Sequence, residues 1–318
     1  MPSNPAAPPA PADYAAAARR IAPYVRRTPV LTARVDDREV SFKLEHLQAA
    51  GVFKIRGALN ALLTRRENEG DGGRPDAPVV TASGGNHGLG VATAARWLGI
   101  PAVVYVPSTV PDIKAARITA AGAEVVKTGQ VYADAERAAR GYAADHGLYY
   151  VHAYDDPAVV AGQGTLAAEI VADRPDCDVV AVPVGGGGLL AGVSGGLAAI
   201  DHGPSRVVGV EPDGCPTLHA AVEAGGPVDV GADSVAASAL GAARVGDLAL
   251  AAYRSNPVGL AQVTDKEIIA ARDRLWEEFR LAVEPAAATV LAAWLSGQVP
   301  GERPCLVLSG ANAAWTPA

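Results

Sequence analysis

Lysine is scarce in this chain of 318 residues. It occurs at Lys43, Lys54, Lys114, Lys127 and Lys266 only, so arginine supplies the other 22 of the 27 basic side chains. No basic run is long enough to build the concentrated positive face that neutralises phosphates, and the formal charge of −7 argues against a nucleic-acid binder in the same direction. No uninterrupted apolar run reaches the length of a membrane-spanning helix. Cysteine is limited to Cys177, Cys215 and Cys305, widely spaced and matching no metal-ligand pattern, and an odd number in a long chain points to a reducing compartment. The opening MPSNPAAPPAPAD lacks the charged start and apolar core of a secretory signal. Residues 1–12 are therefore expected to be a disordered lead-in, and the protein to be cytoplasmic.

What the chain does contain is a 49% hydrophobic composition with 35 glycines and few aromatics, which suits helices packed closely on a Val/Ile-rich sheet. Short apolar runs alternate with longer helical stretches. After a first helix from Asp13 to Ile21 and a hairpin whose second strand is Val40 to Leu44, Gly51 introduces a helix from Lys54 to about Glu69. Strands are expected at Val79 to Ala82, Ala102 to Val106, Glu124 to Thr128 and Tyr149 to His152, separated by helices. The pattern restarts with strands at Val179 to Pro183, Arg206 to Glu211 and Pro304 to Leu308. The stretch from Ala224 to Asp247 reads as a loose segment. Strands separated by helices of this length imply right-handed crossovers and parallel sheets, hence an α/β protein.

Four places share one design, a strand ending in a polar or glycine-rich turn that opens a helix or follows the last strand, and ligands bind at that edge of a parallel sheet. In Val182-Pro183-Val184-Gly185-Gly186-Gly187-Gly188-Leu189, the missing Cβ atoms let backbone N–H groups converge on an anion at a helix N-terminus. No Gly-Lys-Ser/Thr follows, which rules out a Walker loop, and the spacing fits a dinucleotide fingerprint poorly. Thr81-Ala82-Ser83-Gly84-Gly85-Asn86-His87-Gly88 either caps its own helix or holds a carboxylate on the same N–H groups. Ser309-Gly310-Ala311-Asn312 places a hydroxyl at the sheet edge, and Glu284 precedes a helix. Lys54, between Phe53 and Ile55, would be partly desolvated and so nucleophilic. A phosphate for the glycine loop, an electrophilic carbon for Lys54 and a small anion for the Asn86 loop together describe pyridoxal 5'-phosphate and an amino acid.

These marks, in this order and over Asp13 to Asn312, resemble the fold-type II pyridoxal-phosphate enzymes, specifically the threonine/serine dehydratases and their serine racemase relatives. The resemblance implies a tryptophan synthase β-like fold of two three-layer α/β domains with mainly parallel sheets. Residues 13–52 and 151–318 would form the large cofactor-binding domain and residues 53–150 a small mobile one, with the Lys54 helix at the junction. It also implies that Lys54 is the Schiff-base lysine and catalytic base and that Phe53 packs near the ring. Asn86 would contact the 3′-oxygen, Gly185, Gly186, Gly187, Gly188 and Leu189 bind the phosphate, and Ser309 pair with the ring nitrogen. Glu284 falls at a cofactor-proximal position, and Ser83, Gly84, Gly85, Asn86 and His87 receive the substrate carboxylate. A homodimer is implied as well. The sequence departs from the family pattern in places. Val52 stands where serine is common. Gly84 stands where racemases have a serine that handles a proton on the face opposite the lysine, which disfavours racemisation. Thr217 stands where some relatives, with the glutamate matching Glu211, have a cation-binding aspartate, so no metal is expected. Neither a C-terminal regulatory domain of the kind some biosynthetic relatives carry nor feedback by isoleucine is expected. The activity implied is elimination of water from L-threonine or L-serine, giving a 2-oxo acid and ammonia.

Overall fold

A computed structural model describes residues 7–69, 74, 76–204 and 206–312 of the chain. Of the lead-in expected over residues 1–12, residues 1–6 lie outside them, and residues 11 and 12 belong to the first helix. The first helix, α1 (Pro11–Ile21), starts two residues earlier than expected. Proline is well placed there because its missing N–H is one no helix start can use, while Asp13 sits one turn in and accepts the Ala10 N–H at 2.8 Å. The hairpin β1 (Val30–Val35) and β2 (Arg38–Lys43) turns at Asp36 and Asp37, which both take positive φ (48° and 59°) and so match the twist of the two strands. Then come α2 (Lys54–Glu69), β3 (Val79–Ala82), α3 (Asn86–Leu98), β4 (Ala102–Val106), α4 (Asp112–Ala120), β5 (Glu124–Lys127), α5 (Tyr132–His146) and β6 (Tyr149–Tyr150). The second series is α6 (Pro157–Asp173), β7 (Val179–Pro183), α7 (Gly188–Ala198), β8 (Arg206–Pro212), α8 (Thr217–Ala224) and α9 (Ala237–Leu240). It continues through α10 (Asp247–Ser255), β9 (Val258–Val263), α11 (Asp265–Phe279), α12 (Pro285–Leu295) and β10 (Pro304–Val307).

Two sheets result. A six-stranded sheet runs β1-β2-β10-β7-β8-β9, antiparallel only at the β1/β2 hairpin, and a four-stranded parallel sheet runs β5-β4-β3-β6. Both are buried on both faces, as the period of two requires. On β7, Val179 and Ala181 join the core under α11 and α12, while Val180 and Val182 join Leu190 and Val193 on the opposite face. On β4, Val104 and Val106 face one cluster and Val103 and Tyr105 the other. Each large apolar side chain buried in this way contributes about 1.5–3 kcal/mol.

The two halves meet where α2 crosses α6. A Cβ at Gly57 would come 2.3 Å from Gln163 Nε2, and one at Gly162 would come 2.6 Å from the Arg56 carbonyl oxygen, so the backbones touch where no side chain fits. Beside that crossing a four-charge cluster locks α2 in place. Arg56, fully buried, donates to Glu45 at 2.8 Å through both Nε and Nη2, and to Glu169 at 2.7 Å through Nη1; Lys43 Nζ donates to Glu169 at 2.6 Å. Burial pushes the Glu45 carboxyl up, and the Arg56 guanidinium more than reverses this, holding it below the usual carboxylate range.

The sequence reading placed α7 and α12 one residue late at their starts and ended β6 two residues too late. Its larger omission was α10 and β9. Strand β9 is an edge strand whose residues are mostly half-buried, with Gly259 interrupting its apolar pattern, so neither a continuous apolar run nor a clean alternation marks it.

Candidate active site

The strand ends of both sheets face one cleft. From the small sheet comes the turn after β3, from the large sheet the turns after β7 and β10, and between them the first residue of α2. One cavity of about 280 Å³ is lined by Lys54, Ser83, Gly84, Gly85, Asn86 and His87 with Val110, Lys114, Tyr132 and Tyr154. A narrower cavity shares Lys54, Asn86 and Gly186 with it and adds Phe53, Gly185, Gly187, Gly188, Leu189, Glu284 and Ser309. Every residue expected to hold cofactor or substrate thus lines one of two joined cavities.

Lys54 is the centre of this arrangement. Val52 pairs with Gly310 across an isolated antiparallel bridge, Phe53 N–H donates to the Ser309 carbonyl at 3.1 Å, and Ala311 N–H donates to the Gly51 carbonyl at 2.9 Å. The end of β10 therefore carries Ser309 to the side of Lys54. Val52, in place of serine, is fully buried and serves that bridge as packing. The lysine amine donates to the Ala153 carbonyl oxygen at 2.7 Å and lies 5.2 Å from the Phe53 ring centre. The residue keeps some exposure to the cleft, yet the amine itself is desolvated, which lowers its pKa from 10.5 to about 8.

Asn86 and Glu284 form a pair. Asn86 Nδ2 donates to Glu284 Oε1 at 2.7 Å, and the Glu284 N–H is held by the Gly310 carbonyl at 3.0 Å. Glu284 is 3% exposed, and that burial raises its pKa from 4.5 to about 7 against the opposing pull of Asn86 and Lys114.

Two helix N-termini supply amides. At α3 the residue before the helix is Gly85, with no side-chain cap, and the N–H groups of Asn86 and His87 have no acceptor among the described residues. Ser83 Oγ accepts the Gly85 N–H at 3.2 Å, which makes the turn rigid. His87 is present as an imidazole that turns away from solvent: Nε2 lies 3.1 Å from the Val151 carbonyl, so that nitrogen carries the proton, and burial lowers the ring's pKa to about 3. Its side chain is neutral, and only its amide is suited to an anion. At α7 the capping residue Gly187 has φ 85° and ψ 0°, and the N–H groups of Gly185 to Leu189 find no acceptor among the described residues. The loop is braced from behind. Thr217 Oγ1 lies 2.5 Å from the Gly185 carbonyl oxygen and 2.8 Å from Glu211 Oε1, and the buried Glu211 carboxylate also accepts Leu218 N–H and His219 Nδ1–H.

These residues fit a phosphate-bearing aromatic aldehyde: a desolvated amine, a row of free amides at a helix N-terminus for the phosphate, and a neutral hydroxyl on Ser309 lining the same narrow cavity. The family model for the pyridoxal-phosphate dependent enzymes matches residues 21–310. The chain belongs to that family. It is 35% identical to an L-threonine ammonia-lyase of Thermotoga maritima over 305 residues, covering 94% of this chain and 75% of the relative. It is also 35% identical to a serine racemase of Arabidopsis thaliana over 305 residues, covering 92% of this chain and 90% of the relative. A crystal structure of a threonine deaminase superposes with a TM-score of 0.87 at 35% identity, covering 97% of this chain and all of that one, and a crystal structure of the serine racemase of Dictyostelium discoideum superposes with a TM-score of 0.86 at 30% identity, covering 97% of this chain and all of that one. Pyridoxal phosphate is therefore the cofactor of this enzyme, and its fold is the fold-type II arrangement of mainly parallel sheets.

Sequence reasoning missed two residues that pack on the glycines of the cleft. Tyr154 lies against the glycine loop, where a Cβ on Gly186 would meet its ring at 2.3 Å, and Val110 lies against Gly84, where a Cβ would meet Val110 Cγ2 at 2.5 Å. The aromatic-acidic turn His152-Ala153-Tyr154-Asp155-Asp156 was the available signal.

Proposed function

We propose that this enzyme removes water from a β-hydroxy-α-amino acid, L-threonine or L-serine, and releases 2-oxobutanoate or pyruvate and ammonia. The observation that carries this reading is the single desolvated amine of Lys54 in a cleft where Gly84 backs directly onto Val110. A side chain at Gly84 would have to displace Val110, so this position offers no group to handle a proton on the face opposite the lysine, and we assign proton transfer at the substrate α-carbon to Lys54. That favours elimination over racemisation.

The roles of the site residues follow from their placement. The turn from Ser83 to His87 receives the substrate carboxylate, chiefly on the free amides of Asn86 and His87 at the positive end of α3. Those of Gly185 to Leu189, at the start of α7, hold the phosphate, and Phe53 packs near the ring. Asn86, oriented by Glu284, contacts the 3′-oxygen. Bound pyridoxal phosphate supplies an electron sink that acidifies the α C–H bond. Lys54 would hold the cofactor covalently and, when its amine is free, would take the substrate α-proton. With a pKa near 8 rather than 10.5 its amine is still basic enough to accept that proton, and its neutral fraction near pH 7, about a tenth, is on the order of a hundredfold larger than that of an ordinary lysine. Ser309, a neutral hydroxyl rather than a carboxylate, would pair with the ring nitrogen without favouring its protonation, which suits loss of a β-leaving group over transamination.

The proposal extends to organisation. Residues 53–150 act as a small unit that closes on residues 13–52 and 151–318, and the enzyme is a cytoplasmic homodimer, which sedimentation analysis would check. The chemistry is tested by supplying L- and D-serine and L- and D-threonine and following 2-oxo acid and opposite enantiomer separately. We expect 2-oxo acid from the L-isomers with little enantiomer. Enantiomer forming faster than 2-oxo acid would sink the elimination reading.

A further inference from the structure

The turn from Val151 to Asp156 joins β6 of the small sheet to α6, and three contacts leave it for the cleft. Ala153 accepts a hydrogen bond from Lys54 Nζ at 2.7 Å. Tyr154 lies on Gly186 of the glycine loop. Asp155 Oδ1 accepts the Leu248 N–H at 3.0 Å, near the start of α10. One side chain closes the turn from within: His152 Nδ1 accepts the N–H of Asp155 at 2.8 Å and that of Tyr154 at 3.3 Å. A ring nitrogen that accepts two amides carries no proton, so the ring is the Nε2–H tautomer. Its Nε2 lies 4.0 Å from Glu136 Oε1, and its ring meets the edge of Tyr154 at a centroid distance of 4.7 Å. Burial, with Arg140 and Lys54 nearby, lowers its pKa to about 4, so the neutral form holds through the physiological range.

We infer that His152 is a positioning residue for Lys54: by gathering two amides on Nδ1 it aims the Ala153 carbonyl at the lysine amine and gives that amine one fixed acceptor whenever it is not covalently engaged. The inference rests on the proposed role of Lys54 as proton acceptor. An amine anchored through one hydrogen presents its lone pair in a restricted set of directions, which is what repeated proton transfer at one carbon requires. The carbonyl also favours the ammonium over the neutral amine, partly offsetting desolvation. The titratable groups around this amine are His87 on α3 and His152 on the turn, both neutral, together with Lys114, Tyr132, Tyr154 and Glu284, which line the same joined cavities. Of these Glu284, raised to about 7, changes charge within the range of the test and is common to all the variants compared below.

The test compares His152→Ala with His152→Asn, whose side-chain carbonyl accepts the same amides. In the full-length chain stripped of cofactor, the pH dependence of Lys54 acylation is read by peptide mass spectrometry, and kcat and KM are measured on the holoenzyme. With the acceptor misplaced, the labelling midpoint of His152→Ala is expected to fall by about one pH unit, the worth of a hydrogen bond to a charged group. Its kcat should fall on the order of tenfold to a hundredfold with KM little changed. Asparagine should restore both. A folded alanine variant with an unmoved midpoint, or a loss that asparagine does not repair, overturns the inference. Should the alanine variant not fold, His152→Phe keeps the ring packing without the acceptor and must give the same shift. Lys54→Ala run in parallel separates the two ideas: if it still turns over substrate, the role of Lys54 fails; if it is dead while His152→Ala leaves the midpoint alone, only the positioning role fails.

Discussion

At the scale of single residues, the site is two ionisable groups displaced by burial. Lys54 is lowered to about 8 and Glu284 raised to about 7, both chiefly by desolvation. The sign of the second has a consequence for stability. A carboxyl whose folded pKa lies above its unfolded value contributes fully below the unfolded pKa and loses that contribution as pH rises through the folded one. The difference in thermal midpoint between the enzyme and Glu284→Gln is therefore expected to shrink or reverse between about pH 4.5 and 7 and to be flat outside that window; a difference independent of pH would mean Glu284 does not titrate there. Lys54 was legible in the sequence because lysine is rare and this one sits between Phe53 and Ile55. Glu284 was legible only as a helix-start acid. Its hydrogen bond to Asn86 spans 198 positions and has no local signature.

At the scale of elements, each turn works because its helix start is left open. Gly187 adopts φ 85°, and a Cβ there would meet the Ala249 Cβ at 2.3 Å, so Gly187→Ala combines left-handed strain of about 1–2 kcal/mol with a clash. We expect cofactor affinity, measured by titrating the visible absorption band, to drop on the order of tenfold or more while far-ultraviolet circular dichroism is kept. Wild-type affinity would show that the loop need not hold this shape. Helix α2 is fixed by the Arg56 cluster. Arg56→Met would leave the fully buried Glu45 carboxylate without its cation, while Glu169 keeps Lys43, and should cost about 3–5 kcal/mol in urea denaturation. A loss below about 1 kcal/mol would place the anchoring elsewhere. The parallel core strands were readable because both faces are buried and the run is continuously apolar. Strand β9 was not, being a half-buried edge, and the Asp36-Asp37 turn was not, since aspartate at positive φ is set by the hairpin it closes.

At the scale of the molecule, the strand ends of two sheets form one cleft, and the chain order of Lys54, the Asn86 loop, the glycine loop and Ser309 anticipated its contents. The packing of Val110 and Tyr154 was not anticipated: the aromatic-acidic turn around Tyr154 is a local signal, but nothing in the sequence near Val110 marks its contact with Gly84. No helix among the described residues is long and apolar enough to cross a membrane. The central claim is that one amine both holds the cofactor and drives the elimination. Its most direct test is to compare the enzyme with Lys54→Ala for the visible absorption of lysine-linked cofactor and for ammonia and 2-oxo acid release from L-serine and L-threonine. The account predicts that the variant, folded and still binding free cofactor, loses both together. Retained absorption of the linked form, or undiminished ammonia release, would contradict it.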